Sequence, residues 1–90
     1  MVLVQFVVTV PDKDRFISAY DDWRDRFEAD GGKDGHLYWD ENEPNRVSMM
    51  SWWESHDAMM ESSEKSGDQF QEEAGTVGLD WDTYIWHEVA

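Results

Sequence analysis

The sequence contains no cysteine, which excludes disulfide bonds, thiolate metal sites and cysteine nucleophiles. Positive charge is also scarce: seven Lys and Arg residues stand against 21 Asp and Glu residues, giving a formal net charge of −14. Phosphate binding needs clustered cations, whereas Arg15, Arg24 and Arg26 lie on one segment among aspartates. We therefore expect no binding to nucleic acid or to anionic membranes.

Long apolar runs and recognisable cofactor motifs are missing as well. No segment approaches the length of a transmembrane helix, and the N-terminus lacks the basic start of a secretory signal. The chain has no metalloprotease or calcium-loop pattern and no glycine-rich nucleotide motif. These features predict a soluble, cytoplasmic protein with no metal and no cofactor.

The acidic excess has a physical interpretation. Only three lysines are present, Lys13, Lys33 and Lys65, and high ionic strength would screen the self-repulsion of so many carboxylates. Disorder is excluded by the 40% hydrophobic content and by regular apolar spacing. We expect a halophilic protein with its acids on the surface; the alternative is a mesophilic acidic protein.

Aromatic residues are in excess, with six Trp, four Phe and three Tyr in 90 residues. This length fits a single domain covering residues 1–90. A monomer of this size buries only about 60–65% of the surface of its unfolded chain. The aromatic load therefore predicts either a subunit contact or an aromatic-lined cavity, and both alternatives stay open.

The first part of the chain predicts a strand followed by a helix. Val2–Val10 is rich in β-branched residues and is apolar on both faces, which predicts a strand covered on both sides. Asp12 can cap a helix over Lys13–Ala29, and Gly31 can end it. The helix has an apolar stripe at helical spacing, formed by Phe16, Tyr20, Trp23 and Phe27.

The rest of the chain predicts a hairpin of two strands, the first of them short and aromatic, then a second helix and a fourth strand. Gly35–Asp40 predicts the second strand, and Arg46–Glu54 predicts its return after a proline-containing turn. A second helix begins near His56, and the polar stretch Ser62–Gly67 predicts that it is broken or irregular. Asp80–Val89 alternates and predicts the fourth strand.

The resulting order, βαββαβ, predicts a ferredoxin-like α+β fold with a four-stranded antiparallel sheet and both helices on one face. Two helices cover only one side of such a sheet, yet the first and last strands are apolar on both sides. Twofold pairing of two sheets would cover the bare face. We therefore expect a homodimer.

Three segments carry a resemblance to a known family. They are Asp40–Val47 (DENEPNRV), Trp53–Ala58 (WESHDA) and Ala74–Gly78 (AGTVG). With them, the whole chain resembles the antibiotic-biosynthesis-monooxygenase-like domains of the dimeric α+β barrel superfamily. The resemblance implies a dimeric α+β barrel with a cavity between sheet and helices, which members use to oxidise quinols or polycyclic phenols with oxygen, or to degrade haem.

Haem degradation is not supported residue by residue. Haem-degrading members resemble one another in an Asn on the first strand, a Trp near the end of the third and an iron-ligating His on the second helix. Gln5 and Trp52 or Trp53 stand at comparable places here. The second helix has no histidine beyond His56, which lies at its start, a turn or more too early, where we expect it to be solvated.

His36 is the candidate base for a cofactor-independent oxygenase, which must deprotonate a phenolic substrate inside an apolar cavity. Tyr38 shares its face by strand parity. Together with Gln5 and Trp52 they form a candidate substrate site. His87 faces either a dimer contact or the pocket. The alternative is that all these residues pack the interior, as aromatic strand residues ordinarily do.

Two functions fit these observations. The first is a small-molecule enzyme or binding domain resembling cofactor-independent monooxygenases that act on quinol or polyphenol-like aromatic ligands. The second is a non-catalytic dimeric module, a stress or regulatory accessory without a substrate site, whose aromatic residues serve dimer packing alone.

Overall fold

The secondary structure follows the predicted order. A computed structural model describes residues 1–90. Its elements are β1 (Val2–Thr9), α1 (Lys13–Ala29), β2 (Lys33–Trp39), β3 (Arg46–Trp53), α2 (His56–Ala74) and β4 (Asp82–His87).

The four strands form one antiparallel sheet in the order β2-β3-β1-β4. β1 lies in the centre, where Val4 is paired with Ser51 of β3 and with Ile85 of β4. Each strand that neighbours β1 in space is distant in sequence, and the helices make the crossovers. The predicted ferredoxin-like fold is confirmed.

The two faces of β1 have different surroundings. Val2, Val4 and Val8 point to the helix-covered face and are at most 5% exposed. Leu3 and Gln5 point the other way, to a face that no helix covers, and are only half-buried. We call these the covered face and the outer face of the sheet.

α1 begins and ends where the sequence predicts. The Asp12 carboxylate accepts a hydrogen bond from the Arg15 backbone N–H at 3.1 Å, which satisfies one free donor of the first turn. Gly31 follows the helix at φ 114°, a conformation that favours glycine. Next to it, a Cβ on Gly32 would lie 2.9 Å from the Trp53 ring, so glycine also permits close packing there.

α2 is one continuous helix, so the predicted break between residues 62 and 67 is wrong. The stretch is polar because most of it faces solvent. Ser62 is the exception: it is buried, and its hydroxyl donates to Asp30 at 2.9 Å. Lys65 contacts the same carboxylate at 3.4 Å. These polar contacts attach α2 to the residue that follows α1.

The other end of α2 is fixed by α1 as well. Arg15 donates from Nε to the Glu73 carbonyl at 2.9 Å and from Nη2 to the Glu72 carbonyl at 2.8 Å. These carbonyls belong to the last turn of the helix, where they lack partners within it. The Trp23 indole N–H donates to the Glu73 carboxylate. Neither helix has the length and apolar character needed to cross a membrane.

One half of the space between helices and covered face is tightly packed. Phe16 is fully buried, and its ring centroid lies 5.7 Å from that of Phe70 on α2. Phe27 lies 5.4 Å from the same Phe70 ring. The main core cluster consists of Val8, Val10, Phe16, Ala19, Tyr20, Trp23, Val47, Phe70 and Ala74.

Candidate ligand cavity

A cavity of about 500 Å³ lies beside this core, between the covered face and the two helices. Its volume is in the range of small-molecule sites in proteins. Its lining is largely aromatic and thioether, and these residues come from the sheet and both helices: Phe6, Phe27, Met49, Trp53, Met59, Phe70 and Trp81.

Two tryptophans shape the cavity. Trp81, just before β4, packs edge-on against Phe6 with centroids 6.1 Å apart, and its indole N–H is buried without a hydrogen-bond partner. The Trp53 indole N–H donates to the Ser51 hydroxyl at 2.8 Å, while its ring lies against Gly32. Both rings are held by their neighbours, so the aromatic walls are preformed.

Tyr20 and Arg24 supply polar groups from α1. Tyr20 is 5% exposed, and its hydroxyl lies against β2, so close that a Cβ on Gly35 would be 3.0 Å away. The Arg24 guanidinium carbon lies 5.1 Å from the Tyr20 ring centroid. Burial raises the pKa of the Tyr20 phenol, and the neighbouring Arg24 offsets only part of that rise. Tyr20 therefore stays neutral at neutral pH and can act as a hydrogen-bond donor.

α2 contributes further polar groups. His56, its first residue, is exposed, as the sequence predicts, but it also lines the cavity. It is the only histidine that does so. Ser63, Gly67 and Asp68 follow along the same side of the helix. They follow His56 by seven, eleven and twelve residues, which places them two and three helical turns further along. This helical spacing from His56 was the sequence signal that could have identified the site, and the sequence analysis missed it.

The predicted base His36 lies elsewhere. It is opposite Met50 in the β2–β3 pairing and faces the outer side of the sheet, where its Nε2 is 2.9 Å from the Asp34 carboxylate. Tyr38 shares that face, as strand parity predicts, with ring centroids 6.3 Å apart. Asp34 has a positive φ of 52° within a bulge between Lys33 and His36.

Gln5 and Trp52 also face the outer side. The Gln5 amide donates to the Ser48 hydroxyl and accepts from the Trp86 indole N–H, both at 3.3 Å. A second depression of about 400 Å³ brings Gln5 together with Tyr38 on this face. Trp52 is opposite Leu3 and does not line it.

The last predicted residue, His87, is opposite Val2 at the end of β4 and is exposed. None of the five predicted site residues lines the cavity beneath the sheet. The expected grouping of His36 with Tyr38 and Gln5 on one face is observed. The expectation that this group lies in the cavity is wrong, because the helices cover the opposite face. No group of three or more His, Asp or Glu side chains could hold a metal ion.

No protein-family model matches the sequence, and comparison with curated proteins finds no significant match. Comparison with solved structures does find relatives of the fold. A candidate antibiotic biosynthesis monooxygenase from Bordetella bronchiseptica superposes with a TM-score of 0.84 at 17% identity, covering 99% of this chain and 97% of that one.

Two further structures extend the likeness. An antibiotic biosynthesis monooxygenase superposes with a TM-score of 0.76 at 12% identity, covering 100% of both chains. SnoaB, a cofactor-independent oxygenase from Streptomyces nogalater, gives 0.74 at 16% identity, covering 99% of this chain and 92% of that one. Sequence identities this low establish a shared fold and do not establish a shared activity. Over nearly its whole length, the chain has the fold of the antibiotic biosynthesis monooxygenase structures.

Proposed function

We propose that the protein binds a flat phenolic or quinol-like molecule in the cavity beneath the sheet and oxidises it with dioxygen, without a cofactor. The observation that carries this proposal is the cavity itself. It has the volume of a small-molecule site, walls of Phe6, Trp53 and Trp81, and a histidine, His56, in its lining. The fold shared with a cofactor-independent oxygenase supports the same reaction class.

An apolar enclosure suits this chemistry. Loss of one proton, from the methylene group of an anthrone-like substrate or from the phenol of its enol tautomer, gives one anion whose charge is shared between oxygen and the ring carbon. That carbon reacts with dioxygen, and the resulting peroxide takes the proton back. The resulting hydroperoxide loses water and leaves a carbonyl, so that one methylene group and one dioxygen molecule give one carbonyl group and one water molecule. Dioxygen is itself the oxidant, and no external reductant is consumed. The aromatic walls would hold the carbanion away from bulk water.

The reaction needs one proton acceptor. His56 is suited to this role because imidazole accepts protons near neutral pH and this side chain lines the cavity. The role predicted for His36 would require a ligand on the outer face. A His56→Gln and a His36→Gln variant therefore separate the two sites: we expect the first to lose turnover and the second to retain it.

Oxygen uptake with an anthrone or quinol panel tests the proposed activity. Gly67 lies in the middle of α2, lines the cavity and has open space around a would-be Cβ, so Gly67→Leu should obstruct binding. Gln69→Leu adds the same side chain on the same helix at a position outside the cavity lining. We expect uptake in the wild type and in Gln69→Leu, and its loss in Gly67→Leu. Absence of substrate-dependent uptake and of any ligand-induced thermal shift would contradict the proposal.

The outer face supports a second proposal, a homodimer. Tyr38, Tyr84 and Trp86 are 51%, 43% and 53% exposed on it, and Leu3 and Trp52 lie between them. So many exposed aromatic side chains on one sheet face are unusual for a monomer and suit a second copy of the same sheet. If the cavity proves inactive, this face favours the alternative function, a non-catalytic dimeric module.

We also propose adaptation to high salt. All 21 acidic residues are exposed except Asp30 and Asp40, and these two are paired with Lys65 and Arg46. Most carboxylates thus repel one another without a partner, and screening by salt relieves that repulsion. Thermal melting in a KCl series tests this: the melting temperature should rise with salt, and a flat response would contradict the proposal.

A further inference from the structure

Arg24 is the only lysine or arginine among the residues that line the cavity. Its single ion pair, with Asp21 one turn earlier, is long at 3.9 Å, and both side chains are largely exposed. Such a pair contributes little and leaves most of the guanidinium donors free. Apart from the contacts of Arg24 with Asp21 and Tyr20, the hydrogen-bonding capacity of this one cation is not used within the chain.

Tyr20 stands beside this cation. It precedes Arg24 by four residues on α1, so both side chains lie on the same side of the helix, and the guanidinium sits over the phenol ring at 5.1 Å. Tyr20 lines the cavity as well. A neutral phenol and a guanidinium are both hydrogen-bond donors, and together they form a polar patch beside the aromatic walls of the cavity.

We propose that the cavity selects aromatic ligands bearing an anionic oxygen, a carboxylate or phenolate, which Arg24 binds with the help of Tyr20. Charge-assisted hydrogen bonds from a guanidinium are stronger than neutral ones. This inference rests on the ligand site of the proposed function and names its ligand class. It does not depend on the oxidation step.

Two carboxylates oppose this selectivity. Glu28 and Asp68 also line the cavity, and the whole chain carries a net charge of −14. Both side chains are exposed, so solvent and salt screen their field. A ligand anion at Arg24 would be in direct contact with the guanidinium, where screening is weakest. Recognition of the anion is therefore local, and Arg24 must supply it.

A matched pair of probes tests the inference. 2-Naphthoate and 2-naphthamide share one aromatic body, and only the first is charged. Calorimetric titration of the wild type should show tighter binding of naphthoate. Arg24→Gln should weaken naphthoate binding about tenfold, the equivalent of one charge-assisted hydrogen bond, and leave naphthamide binding unchanged. Arg24→Lys should restore part of the loss.

Arg26→Gln is the control, because it removes the same charge from the same helix. Arg26 stacks on Trp23 at 4.3 Å and does not line the cavity, so naphthoate binding should be unaffected. Thermal melting verifies that each variant is folded. Equal affinity of the wild type for both probes, or equal losses in the Arg24 and Arg26 variants, would overturn the inference.

The oxygenase proposal can fail while the selectivity for anionic ligands holds. Naphthoate binding that depends on Arg24, without oxygen uptake on any substrate, would support the inference and contradict the oxygenase proposal. Tight binding of naphthamide alone would support an aromatic ligand site and overturn its selectivity for anions. Failure of both probes to bind would overturn the inference together with the ligand site.

Discussion

Both faces of the sheet carry aromatic and aliphatic side chains, but their surroundings differ. On the covered face, Val4 and Val47 are 0% and 2% exposed, whereas on the outer face Tyr38 and Trp86 are 51% and 53% exposed. The same strands build both faces, since successive residues point to opposite sides. Only the helices make the difference. An apolar strand residue is therefore buried or exposed according to what lies over it.

The covered face is itself divided. α2 is attached to α1 through Ser62 and Asp30 near one end, and through Trp23 and Glu73 near the other. Phe70 belongs to the main core, a smaller cluster joins Met59 of α2 to the sheet, and the cavity lies beside them. α2 is thus fixed by apolar packing as well as by polar bonds. The covered face thus combines a packed core with an open cavity.

The largest loss of folding stability is expected from a substitution in the packed core. Phe16→Ala should destabilise the protein by about 3–5 kcal/mol, because Phe16 is fully buried against Phe70 and Trp81 and no neighbour can fill the space. Denaturant unfolding measures this. Ile17→Ala is the control: Ile17 is 37% exposed, and we expect a loss below about 1 kcal/mol. Similar losses at both positions would mean that the core does not lie where we place it.

The next largest effect is expected on the stability of the dimer, through the outer face. Trp86→Glu should weaken a dimer by at least about 2 kcal/mol, since it replaces an aromatic anchor with a charge. Sedimentation should then show monomers at concentrations where the wild type is dimeric. Val77→Glu makes the same charge change at a loop position that is 66% exposed, and it should leave the dimer intact. A monomeric wild type would refute the assignment of this face to a homodimer.

Two glycines in the cavity lining are expected to respond in opposite directions. Gly35→Ala should destabilise by about 1–3 kcal/mol, because its Cβ would press on the Tyr20 hydroxyl at 3.0 Å. Gly67→Ala should stabilise by up to about 1 kcal/mol, because alanine favours the helix and its Cβ meets no atom within 4 Å.

Thermal and denaturant melts of these two alanine variants form one matched experiment, since each adds a single methyl group to the cavity wall. Changes of the same sign would show that the wall is less well defined than the structure indicates. Destabilisation by Gly67→Ala in particular would mean that α2 lies closer to the sheet in solution.

The smallest effect lies outside both faces, at Asp40 in the β2–β3 turn. The Asn42 backbone N–H, with help from Arg46, lowers the pKa of this carboxyl below its ordinary 3.8. Its contribution to stability is therefore complete above that value and is lost as the pH falls through the lowered pKa. Asp40→Asn should be slightly less stable than the wild type at neutral pH, and the difference should vanish in acid.

Glu41→Gln is the control for the turn, because it also removes one negative charge there. It should lack the pH-dependent difference. A difference for Asp40→Asn that persists unchanged into acid would indicate that the amide disturbs the turn sterically, and that the charge of Asp40 is not the cause.

Local sequence patterns predicted the bounds of β1 and α1 almost to the residue. Alternation marks the strand, and Asp12 and Gly31 mark the ends of the helix. α2 was misjudged because its polar stretch reads as a break when only apolar spacing is considered. The attachment of Ser62 to Asp30, 32 residues earlier in the chain, is a tertiary contact that no local pattern contains.

The candidate site was misplaced for a related reason. Parity correctly grouped His36 and Tyr38, but it does not say which face the helices cover. The sequence held a partial signal: the face of β1 that includes Gln5 and Thr9 is the less apolar one, so it was the better candidate for the outer side. The cavity itself depends on the distance of α2 from the sheet, which only the packed structure defines.

The most direct test of a ligand site on the covered face uses the six tryptophans as reporters. Indole N–H resonances, assigned through single Trp→Phe variants, are followed while 2-naphthoate is added. Trp53 and Trp81 line the cavity, and Trp52 and Trp86 lie on the outer face. We expect the first pair to shift with one saturating affinity while the second pair stays in place. Shifts confined to Trp52 and Trp86 would contradict this and place the ligand on the outer face instead.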